Sequence, residues 1–197
     1  MERDEFKIIN NCRKGNLKEF GKLYDNYIDK IYNFIYYKTF HKETAEDLVS
    51  QTFFKALEKI NKYSPEIGSF SSWLYQIARN TVIDYYRTKK ETNNIEDIWD
   101  LKDNTDLERD EGVKQKLEDV QKYLSALNKE QREIVIMRVW DELSYKEIAE
   151  ITGKSEASLK MTFSRTINKL RQEMPLEILI LLLLAPTNNE YITNLLI

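Results

Sequence analysis

A chain of 197 residues with 42% hydrophobic and 12% aromatic side chains holds enough apolar surface for one good core or two small ones, which excludes disorder throughout. Five glycines and three prolines leave little turn chemistry and favour long helices over a strand-rich sandwich or a doubly wound sheet, so an all-α fold is expected. The formal net charge of -3 is unevenly spread: residues 1–90 carry 16 Lys/Arg against 12 Asp/Glu, residues 91–112 carry 2 against 9, and residues 113–197 carry 12 against 12.

One cysteine, Cys12, and one histidine, His41, allow neither an internal disulfide nor a Cys/His zinc site. Cys12 beside Arg13 and Lys14 could be an activated thiol and His41 a base, but neither has an identifiable third partner. No catalytic residue, metal or cofactor is therefore expected. The N-terminus reaches charged residues at once with no apolar run behind them, so it does not read as a secretory signal, and a cytoplasmic protein is expected.

The first predicted helix starts at Phe20. Its apolar positions Leu23, Tyr24, Tyr27, Ile28, Ile31 and Ile35 follow the three-four spacing of one face. A second helix carries Ala45, Leu48, Val49, Thr52, Phe53, Ala56, Leu57 and Ile60 on one face, with Thr44 as the expected N-cap. Asp47, Ser50, Gln51, Lys55 and Glu58 fall on the opposite face. Pro65 and Gly68 then break the chain, and Ser69, Ser71 or Ser72 can cap a third helix. That helix is expected to bury Leu74, Ile77, Ala78, Thr81 and Tyr85 and to display Gln76, Arg79, Asn80, Ile83 and Arg87. Phe70, Trp73, Tyr75 and Tyr86 interleave rings with these cations and amides. Rings and cations together suit single-stranded nucleic acid, in which every base has a π-face and every linkage a charge; ordinary core packing is the competing use of the same rings.

Residues 93–112 read as an acidic linker rich in Asp and Asn, repelled by phosphate and separating two helical domains, 1–92 and 113–174. In the second domain Asn128 and Gln131 form a capping box that opens a helix running to Trp140. Ser144 and Glu147 form another; Gly153 stands where a left-handed residue would stop the helix, and Ser155 can cap the next. Leu159, Phe163, Ile167 and Leu170 give that last helix a buried stripe. Two short helices joined by a glycine turn describe a helix-turn-helix, whose second helix would enter a major groove with Glu156, Lys160, Met161, Ser164 and Arg165 outward. Residues 154–173 carry 5 Lys/Arg and 2 Glu, which concentrates positive charge there.

Residues 175–197 form an apolar tail. Its stretch from Leu176 to Ala185 contains Glu177, is bounded by Pro175 and Pro186, and falls well short of the about 20 residues a membrane span needs. Two uses remain open for it: a short helix folded onto one of the domains, or a built-in inhibitor that masks a binding surface.

The run from Phe70 to Arg87, preceded by Ala45 to Phe53, resembles the second conserved region of bacterial sigma factors, and the run from Leu143 to Arg165 resembles their fourth region. The order and the short linker resemble the extracytoplasmic-function class. The resemblance implies two helical domains and a dissociable initiation subunit with core RNA polymerase and promoter DNA as partners, and it leaves room for an anti-sigma factor. It implies that Asp47, Ser50, Gln51 and Lys55 dock on the polymerase clamp, although the family usually has Gln-Glu where this chain has Ser50 and Gln51. It implies a minus-ten site of Phe70, Trp73, Tyr75, Arg79, Asn80 and Arg87, with a base flipped out of the stack. It implies a minus-thirty-five site of Ser155, Ser158, Lys160, Met161, Ser164 and Arg165, with Met161 and Thr162 departing from the usual Ser-Arg. A stand-alone helix-turn-helix regulator is the alternative; it would bind an operator tightly by itself, whereas a sigma factor would bind promoter DNA poorly without core polymerase.

Overall fold

The computed structural model describes residues 3–92 and 119–184, and every regular element among them is helical. The expected linker 93–112, residues 113–118 and the tail beyond 184 lie outside the described residues. The chain divides into two compact units, one formed mainly by the helices up to Thr92 and the other mainly by those from 119 onward.

In the first unit α1 (Arg3–Arg13) packs on α2 (Phe20–Thr39), and α2, α3 (Lys42–Lys59) and α4 (Phe70–Thr92) pack pairwise against one another. The spacing of the apolar residues decides which faces meet. Leu23, Ile31, Phe34 and Ile35 of α2 close on Ala45, Leu48, Val49, Phe53 and Ala56 of α3, and on Phe70, Leu74, Tyr75 and Ala78 of α4. Ile9 and Cys12 seal the α1 side. Burial pushes the Cys12 thiol upward, and the Glu19 carboxylate adds to the shift. The thiolate is thereby disfavoured, the reverse of an activated nucleophile.

The link between α2 and α3 is two residues long. Phe40 adopts a left-handed conformation with φ 50°, and its N–H donates to the Tyr36 carbonyl at 2.6 Å, closing α2. His41 is then extended, and its Nδ1 accepts the N–H of Thr44 at 3.2 Å, so His41 and not Thr44 is the N-cap of α3. The helix opens three residues earlier than the sequence suggested because a ring nitrogen can accept where a side-chain oxygen was expected. The same atom lies 3.0 Å from Thr44 Oγ1, so the sole histidine is engaged in a helix cap.

The second unit contains α5 (119–125), α6 (Lys129–Val135), α7 (Tyr145–Thr152), α8 (Glu156–Glu173) and α9 (Leu176–Leu184). The capping box of Asn128 and Gln131 opens α6 as the sequence indicated. The expected α-helix to Trp140 instead widens after Val135 into a π-turn, Ile136–Trp140, in which the Asp141 N–H reaches back to the Ile136 carbonyl at 3.1 Å. Arg132 is buried and ties α6 to the end of α5: Nε donates to the Leu124 carbonyl at 2.8 Å, and Nη2 donates to the carbonyls of Ser125 at 2.8 Å and Leu127 at 3.3 Å. A guanidinium at a helix C-terminus meets both the unpaired carbonyls and the negative end of the helix dipole.

The tail helix α9 packs on its own unit, as the folded-back reading required. Ile178, Leu179 and Leu182 are buried, and the Trp140 indole N–H donates to the Leu182 carbonyl at 2.8 Å. Among the described residues no helix is long and apolar enough to cross a membrane.

Candidate nucleic-acid and polymerase interface

The loop that leads into α4 is held from beneath. Tyr63 is buried and its hydroxyl donates to the Gly68 carbonyl at 3.2 Å. Burial, followed by the Glu5 and Glu66 carboxylates, pushes this phenol up to about 12. Ser64 Oγ donates to the exposed Glu66 carboxylate, which holds that acid below its ordinary range. Of the three candidate serines, Ser69 is the one that opens α4, accepting the Ser72 N–H at 3.0 Å. The loop presents Ile67, 83% exposed, at its tip.

Helix α4 turns a wide apolar face inward, comprising Phe70, Leu74, Tyr75, Ile77, Ala78, Thr81 and Val82. Its outer face carries Gln76, Asn80, Ile83 and Arg87, with Arg79 and Asp84 half-buried beside them. Arg87 pairs with Asp84 at 3.1 Å. The carboxylate therefore steadies a cation and is not aimed alone at phosphate.

On α3, Asp47, Ser50, Gln51, Phe54 and Glu58 are exposed on one side. Lys55 differs: it is half-buried, and Nζ donates to Thr81 Oγ1 of α4 at 3.1 Å. The bond satisfies the buried Thr81 hydroxyl and couples the two helices.

In the second unit the capping box of Ser144 and Glu147 opens α7, and Gly153 closes it at φ 73° with its N–H on the Ala149 carbonyl at 2.8 Å. Ser155 then caps α8 by accepting the Ser158 N–H. Glycine suits position 153 because the left-handed region is costly for residues with a Cβ. Lys154 pairs with Glu130 of α6 at 2.7 Å and fixes the turn to the bundle. Along α8, Ser155, Ser158, Lys160, Met161, Ser164 and Arg165 are all exposed. Lys160 lies 3.5 Å from Glu156 and 5.6 Å from the Tyr145 ring centroid, while Arg138 approaches the same ring at 5.2 Å. The Lys160 ammonium is thus held near the helix surface and still half-exposed.

Residues 23–92 match the family described as sigma-70 region 2, and residues 117–170 match sigma-70 region 4. The chain is 33% identical to the RNA polymerase sigma factor YlaC of Bacillus subtilis over 77% of its own length and 90% of that protein. It is 34% identical to the extracytoplasmic-function sigma factor SigM of the same organism, over 76% and 91% of the two chains. The chain belongs to the sigma-70 family. Similarity to SigM and, at 32% identity, to the extracytoplasmic-function sigma factor BldN of Streptomyces coelicolor places it in the extracytoplasmic-function class; the match covers 86% of this chain and 65% of BldN. Its fold resembles CnrH, solved with the cytosolic domain of CnrY, at TM-score 0.66 and 20% identity over 84% of this chain and 94% of that one. It also resembles RpoE of Bartonella quintana, solved with the anti-sigma factor NepR, at TM-score 0.65 and 23% identity over 79% and 96%. Family membership makes the chain a promoter-directing sigma factor and decides against the stand-alone regulator.

Within this sigma factor two of the expected minus-ten residues need correction. Phe70 and Tyr75 are wholly buried, Phe70 edge-on to Tyr27 and Tyr63, and Tyr75 edge-on to Phe34 at 5.1 Å. They build the bundle from which the outer face projects, because α4 must cover both α2 and α3 and its inward stripe takes them in. Trp73 is half-buried, packed on Tyr63 and Phe70 with ring centroids 5.5 Å away in each case, and has part of its surface left for a ligand. Asn80 and Arg87 remain exposed on α4, with Arg79 half-buried. Phe54, 61% exposed among the polar residues of α3, was missed by sequence reasoning; its spacing of seven from Asp47 and three from Gln51 was the available signal.

Proposed function

We propose that the two units divide promoter recognition between them. Asp47, Ser50, Gln51 and Phe54 on the outer face of α3 dock core RNA polymerase, with Lys55 bracing that helix on α4. Asn80, Arg79, Arg87 and the accessible part of Trp73 hold one strand of the minus-ten element. Lys160, Met161, Ser164 and Arg165 enter the major groove of the minus-thirty-five element, with Ser155 and Ser158 at the N-terminus of α8 close to phosphate. The domain limits for this division are 1–92 and 113–174, joined by the acidic segment 93–112.

The observation that carries this reading is the α7–α8 unit, where two caps, a left-handed glycine and an exposed basic face agree on one geometry. Strand opening costs a few kcal/mol per unstacked base, and ring stacking returns about 1–3 kcal/mol per base, so capture of one strand tips the balance without hydrolysis. The protein acts in the cytoplasm and needs no cofactor. An anti-sigma partner would silence it by covering the α3 and α8 faces.

Reconstitution of the full chain with core polymerase on a randomised promoter library tests the reading. Start-site selection that depends on the added chain is expected; transcripts no more selective than those of core alone would overturn it. Gel shifts with and without core polymerase should show firm promoter binding only in its presence.

A further inference from the structure

The outer face of α4 contains one residue that hydrogen bonding to DNA does not explain. Gln76, Asn80, Ile83 and Arg87 follow one another along that face at helical spacing, and all four are exposed. Three of them donate hydrogen bonds. Ile83 cannot, yet it is 46% exposed between an amide and a guanidinium, while the neighbouring Val82 is buried at 4%. Its free surface is the size of a single small apolar group.

DNA bases offer one such group. Adenine, guanine and cytosine present only donors, acceptors and ring edges, whereas thymine carries a 5-methyl. The three residues from Asn80 to Ile83 advance about 4.5 Å along the helix axis, more than the about 3.4 Å step of stacked bases and in the direction of the wider spacing of a strand with a base unstacked. A base that faces Asn80 therefore leaves its neighbour opposite Ile83. We infer that Ile83 is a specificity-determining contact of this sigma factor, selecting a thymine in the minus-ten element by packing against its 5-methyl group. The pair formed by the adjacent Asp84 and Arg87 one turn on supports the contact by keeping the Asp84 carboxylate matched with a cation. The inference rests on the proposed placement of the minus-ten strand along α4.

The test uses the full chain with core polymerase and a promoter recovered from the randomised library. Each thymine of its minus-ten element is replaced singly by deoxyuridine, which removes the methyl and nothing else, and heparin-resistant complexes are counted. With the wild-type chain, one replacement is expected to lower complex formation about fourfold, the value of one buried methyl-sized group. Ile83→Ala should lower complex formation on the thymine template by a similar factor and be indifferent to that replacement, whereas Ile83→Val should keep the sensitivity. Indifference of the wild-type chain to every replacement would overturn the inference, as would an Ile83→Ala protein that keeps the full methyl dependence. An Ile83→Ala defect in core binding that is equal on all templates would assign the residue to a protein contact and also overturn it. Failure of the underlying placement shows up earlier and differently: no template would then respond to Asn80→Ala.

Discussion

Truncating Phe54 to alanine removes the largest apolar group on the outer face of α3. The ring is 61% exposed in the free chain, and a phenylalanine buries about 200 Å² when fully desolvated, so docking would take about 120 Å² of it out of water. At about 25 cal/mol per Å² the loss is about 3 kcal/mol, or roughly a hundredfold in Kd for core polymerase. The folded chain should be unaffected, because the exposed part of the ring packs on nothing and the neighbouring Phe53, 5% exposed and 4.7 Å from Tyr24, is the residue that builds the core. Titration of labelled full-length protein with core polymerase, followed by fluorescence anisotropy, measures the effect, with a circular dichroism melt as the control. An affinity within about twofold of wild type, at unchanged melting temperature, would refute the hot-spot reasoning. If Asp47→Ala and Gln51→Ala were equally silent, α3 itself would not be the docking face.

Arg132→Met keeps the apolar stem and leaves the carbonyls of Leu124, Ser125 and Leu127 without the guanidinium, so the second unit should lose about 3–5 kcal/mol. Hydrogen exchange on the full chain would register it as faster exchange in α5 to α8 with α2 to α4 unchanged; equal protection in both variants would contradict it. Asn80→Ala should impair strand opening more than initial promoter binding by the holoenzyme, and Lys160→Ala the reverse; indistinguishable defects in permanganate footprints and gel shifts would count against the division of labour. The Tyr63 phenol, raised from 10 to about 12, is protonated more firmly in the folded than in the unfolded chain. Its contribution to stability is therefore complete below pH 10 and lost as pH climbs toward 12. Denaturation midpoints should fall over that interval and fall less in Tyr63→Phe; identical slopes would argue against the buried phenol as the cause.

The local devices were legible from sequence because their parts are neighbours in the chain. The boxes Asn128/Gln131 and Ser144/Glu147 and the left-handed Gly153 depend on residues within a turn of one another, and the helix-turn-helix followed from them. Decisions that depend on partners were less legible. Phe70 and Tyr75 are aromatic residues on a helix with both polar and apolar neighbours, and only the joint packing of α2 and α3 assigns them to the interior. Phe54 adjoins Phe53, and a stripe that claims one of two adjacent rings says little about the other. Lys55 fell on the polar face by spacing, but the position of Thr81 across the helix pair decides where its ammonium goes. The His41 cap escaped notice because imidazole is an uncommon acceptor at a helix start.

The sealed position of Cys12 has a practical and a physiological consequence. With no other sulfhydryl in the sequence and this one on the buried face of α1, the folded protein should resist maleimide, and its thiol should resist peroxide. An oxidative signal that acts through thiols would have to be sensed by another molecule, and a cysteine engineered onto α3 or α8 would take a fluorophore at that position alone.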